Sequence, residues 1–265
     1  MIRLIATDMD GTLLKSNGEL PHGFYELFHK LVCKGVYFAV ASGRQYHTLV
    51  DNFEQVKEQM VFIAENGAMV MQHGKELFTS VLDKHVVEGI IKDVRKVENC
   101  EIVLCGKNSA YIETNNSEFE REVRKYYKQC QRLDDVLSVE DGILKVAVYD
   151  YISSEEHCYR VLYPKWGQDM NVIVSGKHWM DFGRLDVDKG VALKHIQGVL
   201  GVKESETLVF GDYFNDVPML GAAYYSYAME NAPDNVKRKA RFGAPSNDSE
   251  GVLRVICKLE EEGLI

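Results

Sequence analysis

The first fourteen residues read MIRLIATDMDGTLL and contain the most informative stretch of the chain, Asp8-Met9-Asp10-Gly11. Residues 1–7 are mostly apolar, which is typical of a buried strand, and they end directly at Asp8. In open α/β sheets, ligands bind beyond the carboxyl ends of the strands, so Asp8 and Asp10 can face one ligand. Like charges at this spacing repel each other, so an ionised pair requires a cation or hydrogen bonds. Gly11 suits the sharp turn that follows.

Two other interpretations of this loop are weaker. Two acidic residues in a loop most often form a solvated turn, which requires no ligand. A calcium-binding loop of the EF-hand type needs glycine at its sixth position and glutamate at its twelfth. Counted from Asp8, the twelfth position is Glu19, but the sixth is Leu13, and a buried strand does not precede that kind of loop. The segment alone therefore favours a functional site without establishing one.

Strand and helix patterns alternate after this loop. Apolar residues recur at helical spacing through residues 24–32, and Gly35 ends that helix. Residues 36–41 and 61–64 are short apolar runs, as expected for buried strands. Such alternation indicates βαβ units and a parallel sheet.

The middle of the chain has a different pattern. Residues 118–131 predict a strongly charged helix, and residues 143–149 alternate like a half-exposed strand of an antiparallel sheet with one open face. After Asp188 the first pattern returns, with strands at residues 207–210 and 225–229. The sequence therefore predicts an α/β fold, a Rossmann-like parallel-sheet core formed by residues 1–83 and 188–265. An α+β domain, residues 84–187, is inserted into it.

Composition and charge limit the class of protein. The chain has 265 residues, of which 46% are hydrophobic and 27% charged, as in ordinary globular proteins rather than disordered ones. Its net charge of −9 disfavours binding to nucleic acid. Neither a secretory signal nor an apolar run of about 18 residues is present, so we expect no membrane association and a cytoplasmic location.

The six cysteines show no metal-binding pattern in the sequence. No pair has C-x-x-C spacing and no histidine cluster accompanies them. We expect reduced thiols in or near the core, with a redox pair of Cys100 and Cys105 as the alternative.

Three further segments carry polar residues at predicted strand ends or helix starts. Ser42-Gly43-Arg44 follows the second strand, where a hydroxyl and backbone N–H groups can hold a phosphate. Lys189 opens the helix that returns the chain to the first domain and can neutralise a phosphate. Residues 211–216 add Asp212, Asn215 and Asp216 after a later strand. Each segment taken alone could be a helix cap or a solvated residue. Together with the loop after the first strand, however, they make four polar segments at one sheet edge, which favours a functional site.

These motifs resemble those of the haloacid dehalogenase superfamily. That family combines an Asp-x-Asp-Gly-Thr motif, a Ser or Thr after the second strand, a lysine and a late acidic Gly-Asp-x-x-x-Asp motif. All four stand here in that order, at residues 8–12, Ser42, Lys189 and residues 211–216. The stretches IATDMDGTLL, FAVASGRQY and FIAENGAMV are similar to the bacterial sugar phosphatases. The inserted domain resembles the C2-type cap of Cof-type phosphatases.

The resemblance implies a phosphatase that acts through a covalent intermediate. Asp8 would attack phosphorus and form an aspartyl-phosphate. Asp10 would protonate the leaving oxygen and then deprotonate the attacking water. Mg²⁺ would be held by the Asp8 carboxylate, the Asp10 backbone carbonyl and Asp212.

The resemblance also implies the residues that bind the substrate. The cap would close over the site, exclude water and select a small phosphorylated metabolite. We expect this metabolite to be a sugar phosphate. Asp216 would support the metal ligands or orient Lys189. The phosphate would be bound by the Met9 backbone, Ser42, the Gly43 N–H, Lys189 and Asn215, and the rest of the substrate by Arg44, Asn66 and His178.

Two alternative functions remain open at this stage. Some phosphomutases share such a core and cap, and they return the phosphoryl group to the sugar. A catalytically silent protein that binds phosphorylated metabolites is the other alternative, although the presence of both Asp8 and Asp10 disfavours it. The residues indicate no particular oligomeric state.

Overall fold

The computed structural model describes residues 1–265 and divides them into two compact units. Residues 1–78 and 188–265 form the first unit, and residues 79–187 form the second. The sequence placed the second unit from residue 84, a few residues too late. The difference arises because Leu82 already belongs to the second unit: it packs into that unit's core, and its N–H donates to the carbonyl of Ile143 at 2.7 Å.

The chain contains fourteen strands and nine α-helices. The strands are β1 (Leu4–Asp8), β2 (Tyr37–Ala41), β3 (Val61–Ala64), β4 (Met69–Gln72), β5 (Lys75–Thr79), β6 (Cys100–Gly106), β7 (Ala110–Ile112), β8 (Cys130–Arg132), β9 (Ile143–Asp150), β10 (Asn171–Gly176), β11 (Trp179–Gly183), β12 (Thr207–Gly211), β13 (Tyr225–Met229) and β14 (Phe242–Ala244). The helices are α1 (Phe24–Cys33), α2 (Tyr46–Asn52), α3 (Lys84–Val94), α4 (Ser117–Tyr126), α5 (Cys158–Trp166), α6 (Lys189–Leu200), α7 (Val217–Leu220), α8 (Asp234–Lys237) and α9 (Gly251–Glu261). No helix has the length and apolar composition needed to cross a membrane.

The first unit is built on an eight-stranded sheet in the order β14-β13-β12-β1-β2-β3-β4-β5. The strands from β14 to β3 pair in parallel, and β4 joins β3 in the antiparallel direction. The predicted α/β fold class is therefore confirmed. All five residues of the central strand β1 are buried. Because β2 and β12 flank β1, the carboxyl ends of these three strands lie side by side, which brings distant motifs of the chain together.

The second unit has a six-stranded sheet in the order β10-β11-β9-β6-β7-β8, antiparallel except for the parallel pair β7 and β8. The prediction of a half-exposed strand over residues 143–149 is wrong. Val146 and Val148 of β9 belong to one buried cluster, whereas Ala147 packs on the other face with Phe119 of α4. Lys145 of the same strand is also buried, and its Nζ lies 3.7 Å from Asp181 Oδ2.

Two local predictions in the second unit also need correction. The helix predicted over residues 118–131 ends at Tyr126, because Cys130–Arg132 forms β8 and pairs with β7. Cys100 and Cys105 cannot form a redox pair. They lie five residues apart on the single strand β6, about 17 Å at the usual rise per residue, far beyond disulfide reach. The expectation of thiols in or near the core also fails for Cys33 and Cys257, which are exposed.

Candidate active site

The loop after β1 is held in a tight turn that places its polar groups at the sheet edge. The Leu14 N–H donates to the Met9 carbonyl at 2.8 Å, and Gly11 has a positive φ of 81°. A side chain at Gly11 would put its Cβ 2.5 Å from Asp212 Oδ2. Glycine is therefore required both because Asp212 lies so close and because the backbone is left-handed. The Thr12 hydroxyl donates to Asp212 Oδ1 at 2.9 Å and joins this loop to the end of β12.

Lys189 lies at the centre of the site and is completely buried. Its Nζ donates to Asp8 Oδ1 at 2.5 Å and to Asp216 Oδ1 at 2.7 Å. Asp188 caps the same helix, because its side chain accepts from the Val191 N–H at 2.8 Å. The start of α6 therefore holds a cation against the carboxyl end of β1.

Asp216 uses both carboxylate oxygens for interactions within the protein. Oδ1 accepts from Lys189, and Oδ2 accepts from the backbone N–H groups of Asp212 and Tyr213, each at 3.0 Å. Asp216 thus orients Lys189 and shapes the loop that carries Asp212. This arrangement leaves Asp8 and Asp212 as the carboxylates available for a ligand.

The site has more carboxylates than cations, and its pKa values reflect this. Burial, reinforced by the charge of Asp216, raises the pKa of Asp8 well above its usual value. Burial alone lowers the pKa of Lys189, but the carboxylates of Asp8 and Asp216 outweigh burial and raise it. Burial raises the pKa of Asp212 to about 6. The protein therefore holds ionised carboxylates here at an electrostatic cost that a bound cation would relieve.

The donor atoms fit a divalent cation that prefers oxygen ligands. Carboxylate oxygens of Asp8 and Asp212 lie within 4.8 Å of each other and of Asp216, the residue that holds Lys189 in place. Carboxylate and carbonyl oxygens are the ligands that Mg²⁺ prefers in proteins. The predicted ligands Asp8 and Asp212 are thus brought together by the fold. Asp10, predicted to contribute its backbone carbonyl, lies two residues beyond Asp8 in the same loop.

The segment after β2 adds the candidate phosphate-binding groups. Asp8 is in register with Ala41, so Ser42 is the first residue beyond the strand at the level of Asp8. Ser42 Oγ accepts from the Arg44 N–H at 3.2 Å, and its carbonyl accepts from the Asn66 N–H at 3.0 Å. A side chain at Gly43 would meet the Asn66 amide at 3.2 Å. These contacts hold the segment at residues 42–44 against the end of β3.

Asn66 joins two of the predicted motifs. Its Oδ1 accepts from Asn215 Nδ2 at 3.2 Å, which links the end of β3 to the loop after β12. Asn66 has a left-handed backbone with φ 54°, a conformation that asparagine adopts more readily than most residues. Both amides thus lie at the same sheet edge as Ser42, and Asn66 is linked to the other candidate residues.

Arg44 binds Asp10 with two hydrogen bonds. Nε donates to Oδ2 at 2.9 Å and Nη2 donates to Oδ1 at 2.6 Å, the paired geometry that suits a guanidinium and a carboxylate. Arg44 was predicted as a substrate contact, but its guanidinium is engaged by Asp10 in this structure. The pair fixes the direction of the Asp10 side chain, which is half exposed.

His178 lies in the second unit, between β10 and β11, whereas the other candidate site residues belong to the first unit. Its Nδ1 is 2.8 Å from the carbonyl oxygen of Asp150, and its ring packs on Tyr149. Both contacts belong to the packing of the second unit.

The sequence missed two residues that hold the site together. Thr12 belongs to the Asp-x-Asp-Gly-Thr motif, which predicts no role for it, but its hydroxyl donates to Asp212 and fixes that side chain. Asn231 donates to the Gly11 carbonyl at 2.8 Å and braces the loop after β1. The motif was a usable signal for Thr12, whereas nothing in the sequence around Asn231 distinguishes it from an ordinary turn residue.

Comparison with known proteins identifies the class of this site. A model of haloacid dehalogenase-like hydrolases matches residues 5–256. The chain is 33% identical over 260 residues to the 5-amino-6-(5-phospho-D-ribitylamino)uracil phosphatase YbjI of Escherichia coli. This alignment covers 97% of this chain and 96% of that protein. A solved structure from Eubacterium rectale matches with a TM-score of 0.90 at 29% identity, covering 97% of this chain and 99% of that one. A structure from Streptococcus mutans matches with a TM-score of 0.86 at 29% identity, covering 98% of this chain and all of that one.

The chain therefore belongs to the haloacid dehalogenase-like hydrolase family. The resemblance inferred from the motifs is confirmed, and so is the expectation of a phosphatase within this family.

Proposed function

We propose that the protein is a magnesium-dependent phosphatase that hydrolyses a phosphate monoester on a small polyhydroxylated metabolite. The observation that carries this proposal is the buried ammonium of Lys189 between Asp8 and Asp216. A fixed positive charge beside a carboxylate at a strand end suits the approach of a phosphate dianion to that carboxylate.

In this proposal Asp8 is the nucleophile. One of its oxygens forms a bond to phosphorus as the bond between phosphorus and the substrate oxygen breaks. Lys189 holds the Asp8 carboxylate in a fixed orientation, so little reorganisation is required when the phosphate binds. Ser42, the Gly43 N–H and Asn215 bind the remaining phosphate oxygens together with Lys189 and the Met9 backbone.

Asp10 is the general acid and base of the proposed reaction. It donates a proton to the leaving oxygen, and it then takes a proton from the water that attacks phosphorus and frees Asp8. Both Asp10 carboxylate oxygens accept hydrogen bonds from Arg44, so a substrate must displace this pair before Asp10 can reach the leaving oxygen. Mg²⁺ bound to Asp8, Asp212 and the Asp10 carbonyl would neutralise the charge between the two anions.

The substrate class follows from a relative and not from the geometry alone. The Escherichia coli relative is named for a substrate in which the phosphate is carried on a ribityl chain. A sugar phosphate and a phosphorylated ribityl chain share a phosphate ester next to several hydroxyl groups. We propose this common chemistry as the substrate class, with selection among its members made by the second unit, residues 79–187.

The test compares Asp8→Asn with Asp234→Asn, a variant at an exposed aspartate that starts α8. Both proteins are assayed with magnesium on p-nitrophenyl phosphate, a set of sugar phosphates and 5-amino-6-(5-phospho-D-ribitylamino)uracil. We expect Asp8→Asn to lose activity by at least about a thousandfold and Asp234→Asn to keep it. Phosphorus NMR distinguishes free phosphate from an isomerised sugar phosphate. Full activity in folded Asp8→Asn would refute the mechanism, and isomerised sugar phosphate would identify a mutase.

A further inference from the structure

A second cluster of metal-ligating side chains lies in the second unit, formed by Cys100, Asp150 and His157. Cys100 begins β6 and is in register with Asp150, the last residue of β9. The chain then turns, and α5 begins at Cys158 with His157 immediately before it. Residues separated by about half the unit's length in sequence therefore meet at one end of its sheet.

Asp150 organises this cluster. Its Oδ1 accepts from the Ile152 and Ser153 N–H groups at 2.8 and 3.2 Å, and its Oδ2 accepts from the Cys158 N–H at 3.0 Å. The carboxylate is completely buried, so these three bonds fix both its position and its direction. The start of α5 is thereby drawn back onto the end of β9.

The remaining donors converge on the same carboxylate. His157 Nδ1 lies 2.8 Å from Asp150 Oδ2, and ligand atoms of Cys100, Asp150 and His157 all lie within 4.8 Å of one another. The thiol of the neighbouring Cys158 donates to the Ser154 carbonyl at 3.5 Å and is not counted among these donors. One thiol, one imidazole and one carboxylate thus surround a common point.

We propose that Cys100, Asp150 and His157 form a binding site for one zinc ion, with water as the fourth ligand. A thiolate, an imidazole and a carboxylate are the mixed soft and hard donors that Zn²⁺ accepts in four-coordinate sites. Zinc–ligand bonds of about 2.0 to 2.3 Å in a tetrahedron require donor atoms roughly 3.5 Å apart. The three ligand atoms lie within 4.8 Å of one another, so they would move closer together on binding the ion.

Binding would proceed without rearrangement of the backbone. The Asp150 carboxylate is already oriented, and Cys100 and His157 are partly exposed, which gives an ion access from solvent. The Cys100 thiol would release its proton to solvent. His157, with its ring proton on Nε2, would ligate through Nδ1 in place of its present contact with Asp150. The ion would tie the starts of β6 and α5 to the end of β9.

This site differs in chemistry from the aspartate cluster of the first unit. That cluster offers oxygen atoms only, which favours magnesium, whereas the present one offers a sulfur and a nitrogen atom beside one carboxylate. A cobalt ion reports the difference directly, because thiolate ligands give an intense near-ultraviolet charge-transfer band that carboxylates do not give.

The experiment titrates the reduced, metal-free full-length protein with Co²⁺ and then displaces cobalt with Zn²⁺. We expect one equivalent of cobalt with the charge-transfer band, loss of that band with one equivalent of zinc, and a zinc-dependent rise in unfolding temperature. The changes Cys100→Ser and His157→Ala, both at partly exposed residues, should each abolish the band or weaken binding at least tenfold. Cys33→Ser and Cys257→Ser, at exposed thiols, should not change it.

Several outcomes would overturn the proposal. An absent band in the folded wild-type protein would exclude thiolate ligation. A full band in folded Cys100→Ser would show that the metal binds at another cysteine. Far-ultraviolet circular dichroism shows whether each variant is folded. Air oxidation that links Cys100 to Cys158 while zinc fails to bind to the reduced protein would identify a redox pair instead. A band that persists in Asp8→Asn supports the site, since Asp8 provides no sulfur.

Discussion

At the scale of single residues, Gly11 controls how closely the loop after β1 approaches Asp212. A Cβ at this position would lie 2.5 Å from Asp212 Oδ2, inside any normal contact. Gly18, in the same part of the chain, has nearly the same φ of 83° but has nothing within 4 Å of such a Cβ. Both glycines thus have a left-handed backbone, but only Gly11 lies against the Asp212 side chain.

We expect Gly11→Ala to lose activity and Gly18→Ala to keep it. Each change costs about 1–2 kcal/mol of stability because alanine is strained in a left-handed conformation. Only Gly11→Ala also displaces Asp212, so its activity should fall at least tenfold and its magnesium requirement should rise. Steady-state kinetics at several magnesium concentrations and urea unfolding measure both effects. Equal activities of the two variants would contradict the role assigned to the contact.

The sequence predicted some residues of the site but not others. Lys189 and Asp212 were predicted because each stands in a recognisable motif, at a predicted helix start and a predicted strand end respectively. The pairing of Arg44 with Asp10 could not, because an ion pair depends on side-chain direction, which spacing does not encode. The cluster of Cys100 and His157 was also missed, since its members meet only when β6 and β9 pair.

At the scale of secondary structure, helix α6 positions Lys189 through its packing on α7. A Cβ at Gly190 would lie 2.5 Å from the Pro218 carbonyl oxygen, so glycine permits the close approach of the two helices. Gly198, on the exposed part of the same helix, has nothing within 4 Å. The helix is therefore packed tightly at Gly190 and open at Gly198.

Gly190→Ala and Gly198→Ala should act in opposite directions on stability. Gly198→Ala should stabilise the protein by about 0.5–1 kcal/mol, since alanine is favoured in a helix interior. Gly190→Ala should destabilise it by about 1–3 kcal/mol through overpacking and should lower kcat, because α6 must shift and carry Lys189 with it. Guanidinium unfolding and kinetics on the same preparations test this. A stable, fully active Gly190→Ala would refute the packing argument.

Elements with an unbroken apolar pattern were predicted well, whereas β8 and β14 were not. The strand over residues 61–64 and the helix at residues 24–32 have such patterns, which local spacing reveals. β8 and β14 have three residues each, and their strand geometry comes from pairing with neighbours rather than from their own composition. The same reason explains the end of α4, where pairing with β7 outweighs the helical tendency of residues 127–131.

At the scale of the whole molecule, one site is assembled from both ends of the sequence. Asp8 and Ser42 come from residues 1–78, whereas Lys189 and Asp212 come from residues 188–265. The parallel order of β12, β1 and β2 brings these segments together at one edge. Because these residues belong to one folded unit, ion binding at the site should stabilise that unit as a whole, which makes global unfolding a readout of the site.

The pH dependence of stability should differ with and without magnesium. Burial raises the pKa of Asp212 to about 6, above the value of about 4 expected in the unfolded chain. A raised carboxyl pKa contributes stability that is present below about pH 4 and is lost as the pH rises through about 6. Asp8, whose pKa is also raised, acts with the same sign. Without a cation, this site therefore weakens the fold as the pH rises over that window.

Magnesium should reverse this trend, because it binds the ionised carboxylates that the ion-free protein holds at a cost. We expect the magnesium-induced rise in unfolding temperature to be small near pH 5 and large near pH 8, since protons compete with the ion for the same oxygens. Calorimetry gives the unfolding temperature as a function of pH with and without magnesium. The difference between these two curves reports on this site, because other carboxylates contribute equally to both. Asp212→Asn should remove most of the difference, and Asp234→Asn should leave it unchanged. A magnesium effect of the same size at both pH values would show that the ion does not bind through these carboxylates.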